Sequence, residues 1–162
     1  MSLSIIVAIG KNKAIGRNNQ LLWHISSDLK RFKQLTSGKT VIMGRNTYLS
    51  LPVQPLPNRK NIIITDIKNE SFEGSITVNS IEEAIKLCKP DEENFIIGGA
   101  MIYKQFLPLA DKLYITKVYK DFEADTFFPE IDENLWKVIE KVDIENDDSV
   151  DFNYSYLTYE IK

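Results

Sequence analysis

The sequence predicts an α/β fold of three layers, with a mostly parallel central sheet, an antiparallel C-terminal edge and helices on both faces. Three observations lead there. Strand-like and helix-like segments alternate over the first two thirds of the chain, the pattern of parallel strands joined by crossover helices. Several strand segments are continuous apolar runs, as expected of strands covered on both faces. The last third carries strand-like segments without helices between them, so the sheet should finish with an antiparallel pair.

Leu3 to Ile9 (LSIIVAI) is rich in β-branched residues and suits a strand in mid-sheet. Gly10 to His24 has Gly, Asn and basic residues without periodicity; a connection that long is usually functional or disordered. From Ile25, residues Ile25, Leu29, Phe32 and Leu35 recur at helical spacing, with Ser26 or Ser27 available as N-cap and an end near Gly38. Thr40 to Met43 (TVIM) reads as a second buried strand, and Gly44-Arg45-Asn46-Thr47 as a turn opening a short helix through Leu49. Pro52, Pro55 and Pro57 enforce an extended loop. Asn61 to Thr65 and Ser75 to Val78 are further strands, and Ser80 caps a helix from Ile81 to about Cys88, with Glu83 at the capping-box position. Phe95 to Ile97 runs into Gly98-Gly99, after which Ala100 to Leu107 is helical. Leu113 to Val118, roughly Lys137 to Val142, and Tyr154 to Ile161 complete the strands.

The 162 residues suit one domain spanning 1–162, with no repeat, linker or second boundary. A composition of 43% hydrophobic and 27% charged residues excludes disordered and fibrous classes. No apolar run approaches the roughly 18–20 residues of a membrane span. The apolar stretch at the start precedes the basic residues, the reverse of a secretory leader, so a soluble cytoplasmic protein is expected. A single cysteine, Cys88, rules out an internal disulfide or a thiolate metal cluster and reads as a small buried hydrophobe.

The net charge of −3 conceals an uneven distribution. Residues 11–60 hold ten Lys or Arg and one acid, Asp28, a balance of +9; residues 118–153 hold twelve acids and three Lys, a balance of −9. A basic half within an acidic protein points to a local anionic ligand rather than nucleic acid, with solvated surface as the alternative.

Asp28 is the sole carboxylate in the first 65 residues and shares the helix face of Phe32 and Leu35. Two readings stand: a first-turn acid that complements the helix dipole and pairs with a nearby base, or a desolvated carboxylate at the floor of a pocket, suited to a cationic heterocycle. Gly98-Gly99-Ala100 ends a strand and opens a helix, which lets bare backbone approach a diphosphate, although a plain tight turn is the alternative. Gly44-Arg45-Asn46-Thr47 repeats the geometry with a guanidinium added. Two such turns at strand carboxyl ends would face one crevice, which suggests a dinucleotide. Arg59 could hold a carboxylate by its fork or lie exposed. His24, the only histidine, has no partner at metal spacing, and Ser26, Ser27 and Ser50 sit in no nucleophile elbow.

Six motifs then occur in an order that resembles bacterial dihydrofolate reductases over the whole chain: Ala14-Ile15-Gly16, Leu21 to Lys33 (LLWHISSDLKRFK), Val41 to Thr47 (VIMGRNT), Leu56 to Asn61 (LPNRKN), Ile97 to Tyr103 (IGGAMIY) and Asp125 to Pro129 (DTFFP). The resemblance implies NADPH-dependent reduction of 7,8-dihydrofolate to tetrahydrofolate, hydride reaching pterin C6 while N5 is protonated. It implies that Asp28 holds the pterin, with Trp23 ordering a water and Thr116 bonding Asp28. Ile6, Val7, Leu21, Leu29, Phe32, Leu51, Leu56, Ile97 and Tyr103 would surround the substrate, and Arg59 would clamp its glutamate carboxylate. Ala8, Ile15, Gly16 and Asn19 would lie along the nicotinamide half of NADPH. Gly44, Arg45, Asn46 and Thr47, with Gly98, Gly99, Ala100, Met101, Ile102, Tyr103 and Gln105, would cradle its diphosphate, and Thr65, Asp66 and Ser80 would face its 2′-phosphate. The Gly98–Gly99 peptide would be cis, and Gly10 to His24 would form the lid over the nicotinamide. The resemblance also implies binding of diaminopyrimidine and pteridine antifolates, and a monomer with no nucleic-acid or membrane partner.

Four positions depart from the family pattern. Leu22 and Ser26 stand where Pro is usual, which loosens the lid-to-helix junction. Asp66 replaces a small hydroxyl or a base and Met101 an Arg, so selectivity for the phosphorylated cofactor would rest on Arg45, Thr65 and Ser80. Two rivals are weaker. The related reductase of riboflavin synthesis has no use for a pterin-facing carboxylate, and a non-catalytic nucleotide-binding module leaves Asp28 unexplained.

Overall fold

The fold is described from a computed structural model covering residues 2–17 and 21–162. Its centre is an eight-stranded sheet. In chain order the strands are β1 (Ser2–Ile9), β3 (Thr40–Gly44), β4 (Lys60–Ile64), β5 (Ile76–Val78), β6 (Glu93–Gly98), β7 (Lys112–Val118), β9 (Trp136–Ile144) and β10 (Tyr154–Ile161). They lie side by side as β5-β4-β3-β6-β1-β7-β10-β9. The pairings from β5 to β7 are parallel, whereas β10 runs antiparallel to β7 and β9. The predicted architecture and its antiparallel edge are both present.

Register explains why these strands carry no polar alternation. Ile62, Ile42, Ile96, Ile5 and Leu113 pair across five successive strands, and each is fully buried. Their neighbours along the strands, Val41, Met43, Ile63 and Phe95, form a second buried cluster. Period-two alternation therefore fills a core on each side of the sheet. Each such side chain contributes about 1.5–3 kcal/mol relative to exposure.

The helices are α1 (Ser26–Thr36), α2 (Arg45–Ser50), α3 (Ile81–Lys86) and α4 (Ala100–Phe106). Ser80 caps α3 as predicted, its hydroxyl accepting from Glu83 N. The serine cap predicted for α1 is absent. Ile25 occupies the cap, and its carbonyl accepts from Asp28 N and Leu29 N. The Ser27 hydroxyl instead meets the Tyr154 hydroxyl at 2.7 Å. α1 also stops at Thr36, short of the predicted Gly38.

The aperiodic segment 10–17 contains an unpredicted strand, β2 (Ala14–Gly16), paired antiparallel with β8 (Thr126–Phe127). Cys88 is buried. No helix among the described residues is long and apolar enough to cross a membrane.

Candidate active site

The carboxyl ends of β3 and β6 each break into a helix at glycine, and the two turns pack against one another. A Cβ added to Gly44 would lie 3.1 Å from Ile102 Cγ1, and one on Gly98 or Gly99 would lie 3.3 Å from Thr47 Oγ1. Gly98 also has φ of +133°, which side-chain-bearing residues avoid. The Gly98–Gly99 peptide is cis, as expected, and so is the Gln54–Pro55 peptide, which was not foreseen. Side chains are thereby kept out of a crevice of about 750 Å³. Bare backbone flanked by Arg45, Asn46 and Thr47 fits a diphosphate.

Every residue assigned above to the cofactor, Asn19 apart, lines this crevice. Asn19 lies outside the described residues. Val7, Leu21, Ile97 and Tyr103 from the substrate set line it too, and so do Ser50, Ile64, Ile67, Asn79, Ile81 and Thr126, for which no sequence signal implied a site role. Met101 is 70% exposed at its rim.

Beside the crevice, Thr116 on β7 donates to Asp28 Oδ1 at 2.5 Å. Burial pushes the Asp28 carboxyl above its usual range; the Thr116 bond and the Arg31 charge act in the opposite direction. Asp28 is thus a desolvated carboxylate with one neutral donor, which favours the second reading of the sequence. Arg31 rests on the rings of Tyr156 and Tyr114, at 4.4 and 5.8 Å from their centroids. The Tyr103 hydroxyl, fixed between the carbonyls of Ile6 and Ile97 at 2.9 and 2.8 Å, ties β1 and β6 together at the crevice wall. Burial, then the Asp28 charge, hold it far above an ordinary phenol.

Ile6, Leu51, Leu56 and Ile97 pack against the Val41–Phe95 cluster. Phe32 is half-buried and Leu29 exposed on α1. Arg59 is anchored by Nε to the Pro57 carbonyl and by Nη1 to Thr36 Oγ1, and its guanidinium lies 5.8 Å from the Phe32 ring centroid. Burial lowers its pKa. Trp23 packs on Phe122 with centroids 4.9 Å apart and faces a separate open hollow with Leu22 and His24.

One site feature carried no sequence signal. Glu70 receives Arg45 Nε at 3.0 and 2.8 Å on its two oxygens and the Thr65 hydroxyl at 2.8 Å. It comes from an irregular segment between β4 and β5, where neither periodicity nor motif marks it. No group of three or more metal-ligating side chains occurs among the described residues.

Comparison with known proteins agrees with this geometry. A family model described as "Dihydrofolate reductase" matches residues 2–161. The chain is 42% identical over 160 residues to the dihydrofolate reductase of Bacillus subtilis (strain 168), covering 99% of this chain and 95% of that protein. It is 47% identical over 143 residues to that of Neisseria gonorrhoeae, covering 88% of each. Among solved structures, dihydrofolate reductase from Enterococcus faecalis, complexed with NADP(H) and RAB-propyl, superposes with a TM-score of 0.92 at 34% identity, covering 99% of this chain and 96% of that one.

Proposed function

The chain belongs to the dihydrofolate reductase family, and from that membership we propose roles for the residues of its crevice. It reduces 7,8-dihydrofolate to 5,6,7,8-tetrahydrofolate with NADPH and is a target for antifolates. We further propose that residues 1–162 act as one domain, in the cytoplasm and as a monomer. The observation that carries the assignment of roles is the half-buried Asp28 carboxylate held by Thr116 beside a glycine-lined crevice.

NADPH, when bound, supplies the hydride equivalent that pterin C6 receives. The chain's own groups do the rest. Asp28 accepts from the pterin N3–H and 2-amino group, a charge-assisted pair made stronger by the low dielectric around it. Holding the pterin there favours its protonated form and so the arrival of a proton at N5 from water. Thr116 donates to one oxygen, and both oxygens keep lone pairs free to accept. Leu29, Phe32, Leu51 and Leu56 exclude water from the ring system, and Arg59, already oriented by Pro57 and Thr36, meets the glutamate carboxylate. Gly44 to Thr47 and Gly98 to Tyr103 receive the diphosphate, while Ala8, Ile15 and Gly16 align the nicotinamide. Ser80 and Asp66 border the adenosine end.

The test is direct. NADPH oxidation, followed by its near-ultraviolet absorbance, should accelerate on adding dihydrofolate and stop on adding a diaminopyrimidine antifolate. A rate independent of dihydrofolate would remove the assignment.

A further inference from the structure

Resting on this reading, the inference concerns how the adenosine end treats the cofactor's 2′-phosphate. Arg45 and Thr65, which border that end, already share an anion supplied by the chain. Both Glu70 oxygens take Arg45 Nε, and one also takes the Thr65 hydroxyl. The Thr65 hydroxyl in turn accepts from Ile67 N, so its single proton is committed to Glu70. The Glu70 side chain is only 14% exposed, and its bonds from Arg45 keep the carboxyl below the usual range, a permanent charge at neutral pH. Asp66 also lines the crevice wall with Arg45 and Thr65, so a second carboxylate stands at this end.

We propose that Glu70 is a specificity-determining residue: an internal carboxylate that neutralises Arg45 and occupies the Thr65 hydroxyl, and thereby weakens discrimination in favour of the 2′-phosphorylated dinucleotide over the unphosphorylated one. Unlike charges attract the phosphate through Arg45; like charges on Glu70 and Asp66 oppose it. Arg45 bonds Glu70 by its Nε edge, so the Nη edge stays available to the ligand, and selectivity is reduced rather than abolished.

Dissociation constants of NADPH and NADH, measured on the intact protein by quenching of tryptophan fluorescence, test this. Glu70→Gln keeps the shape and removes the charge. It should tighten NADPH by about fivefold or more relative to NADH, a gain that shrinks with added salt. Glu70→Asp, which keeps the charge, should stay within about twofold of the parent ratio. A purely structural role would shift both dinucleotides together and leave their ratio unchanged, which overturns the proposal, as does a loss of NADPH affinity in a folded Glu70→Gln protein. If the parent binds neither dinucleotide, the family reading of the crevice fails, and the proposal falls with it.

Discussion

At residue scale, Asp28 carries two opposed obligations. A carboxylate on an otherwise apolar helix face is desolvated, and its pKa rises above that of an unfolded aspartate. An acid whose folded pKa is raised favours folding while protonated; as pH rises through that pKa its ionisation costs stability. Asp28→Asn removes the cost. Its melting temperature should therefore exceed the parent's at neutral pH, and the gap should close in acid, below the pKa of an unfolded aspartate. Turnover should move the opposite way, falling by a factor of about 100 or more at neutral pH, since a positioned acid–base group contributes on that order. NADPH affinity should hardly change. Steady-state rates and melting curves on one preparation check both directions, and undiminished turnover would show that Asp28 does not engage the pterin.

At the scale of elements, most of the fold could be read from the sequence because burial on both faces leaves unbroken apolar runs, as in β1, β3 and β4. The glycine turns could be read because the Ile102 and Thr47 side chains crowd the space a Cβ would take there, and Gly98 has a positive φ that favours glycine. What escaped depends on distant partners. β2 and β8 are three and two residues long, too short for a period to register. Glu70 acquires meaning only when the segment after β4 folds back on Arg45. The missing cap of α1 has the same origin: the Ser27 hydroxyl is drawn to Tyr154, whose own hydroxyl donates to Asp147 at 2.6 Å. This chain ties the first turn of α1, and with it Asp28, to β10 and the segment after β9. Tyr154→Phe should cost about 1–2 kcal/mol and speed hydrogen exchange at the Asp28 and Leu29 amides. Asp147 is held below its usual pKa by Ser149 and Tyr154, so its share of stability is present above the unfolded value and lost as pH falls. The penalty of Tyr154→Phe should accordingly shrink in acid; a pH-independent penalty would mean that the Asp147 bond contributes little.

At the scale of the molecule, the folded chain modifies the charge asymmetry seen in its sequence. The β2–β8 pairing brings the basic first half against the acidic last third, where Lys13 pairs with Glu130 and Arg17 with Glu123. Arg45 is matched by Glu70. Lys30 and Lys33 on α1, with Lys11, remain exposed, and their field acts on the approach of ligands rather than on bound ones. Both NADPH and dihydrofolate are anions, so their association should be steered and their dissociation should not. Raising ionic strength from about 0.05 to 0.5 M shortens the screening length roughly threefold, and association rates for both should fall severalfold while dissociation rates stay within about twofold. Replacing Lys30 and Lys33 together by Gln should reproduce part of that fall at low salt and flatten the salt dependence that remains. Stopped-flow traces at several salt concentrations separate the two rates. Should salt act on dissociation instead, the screened charges would be those touching the bound ligands, Arg45 and Arg59, and the lysines of α1 would be solvated surface alone.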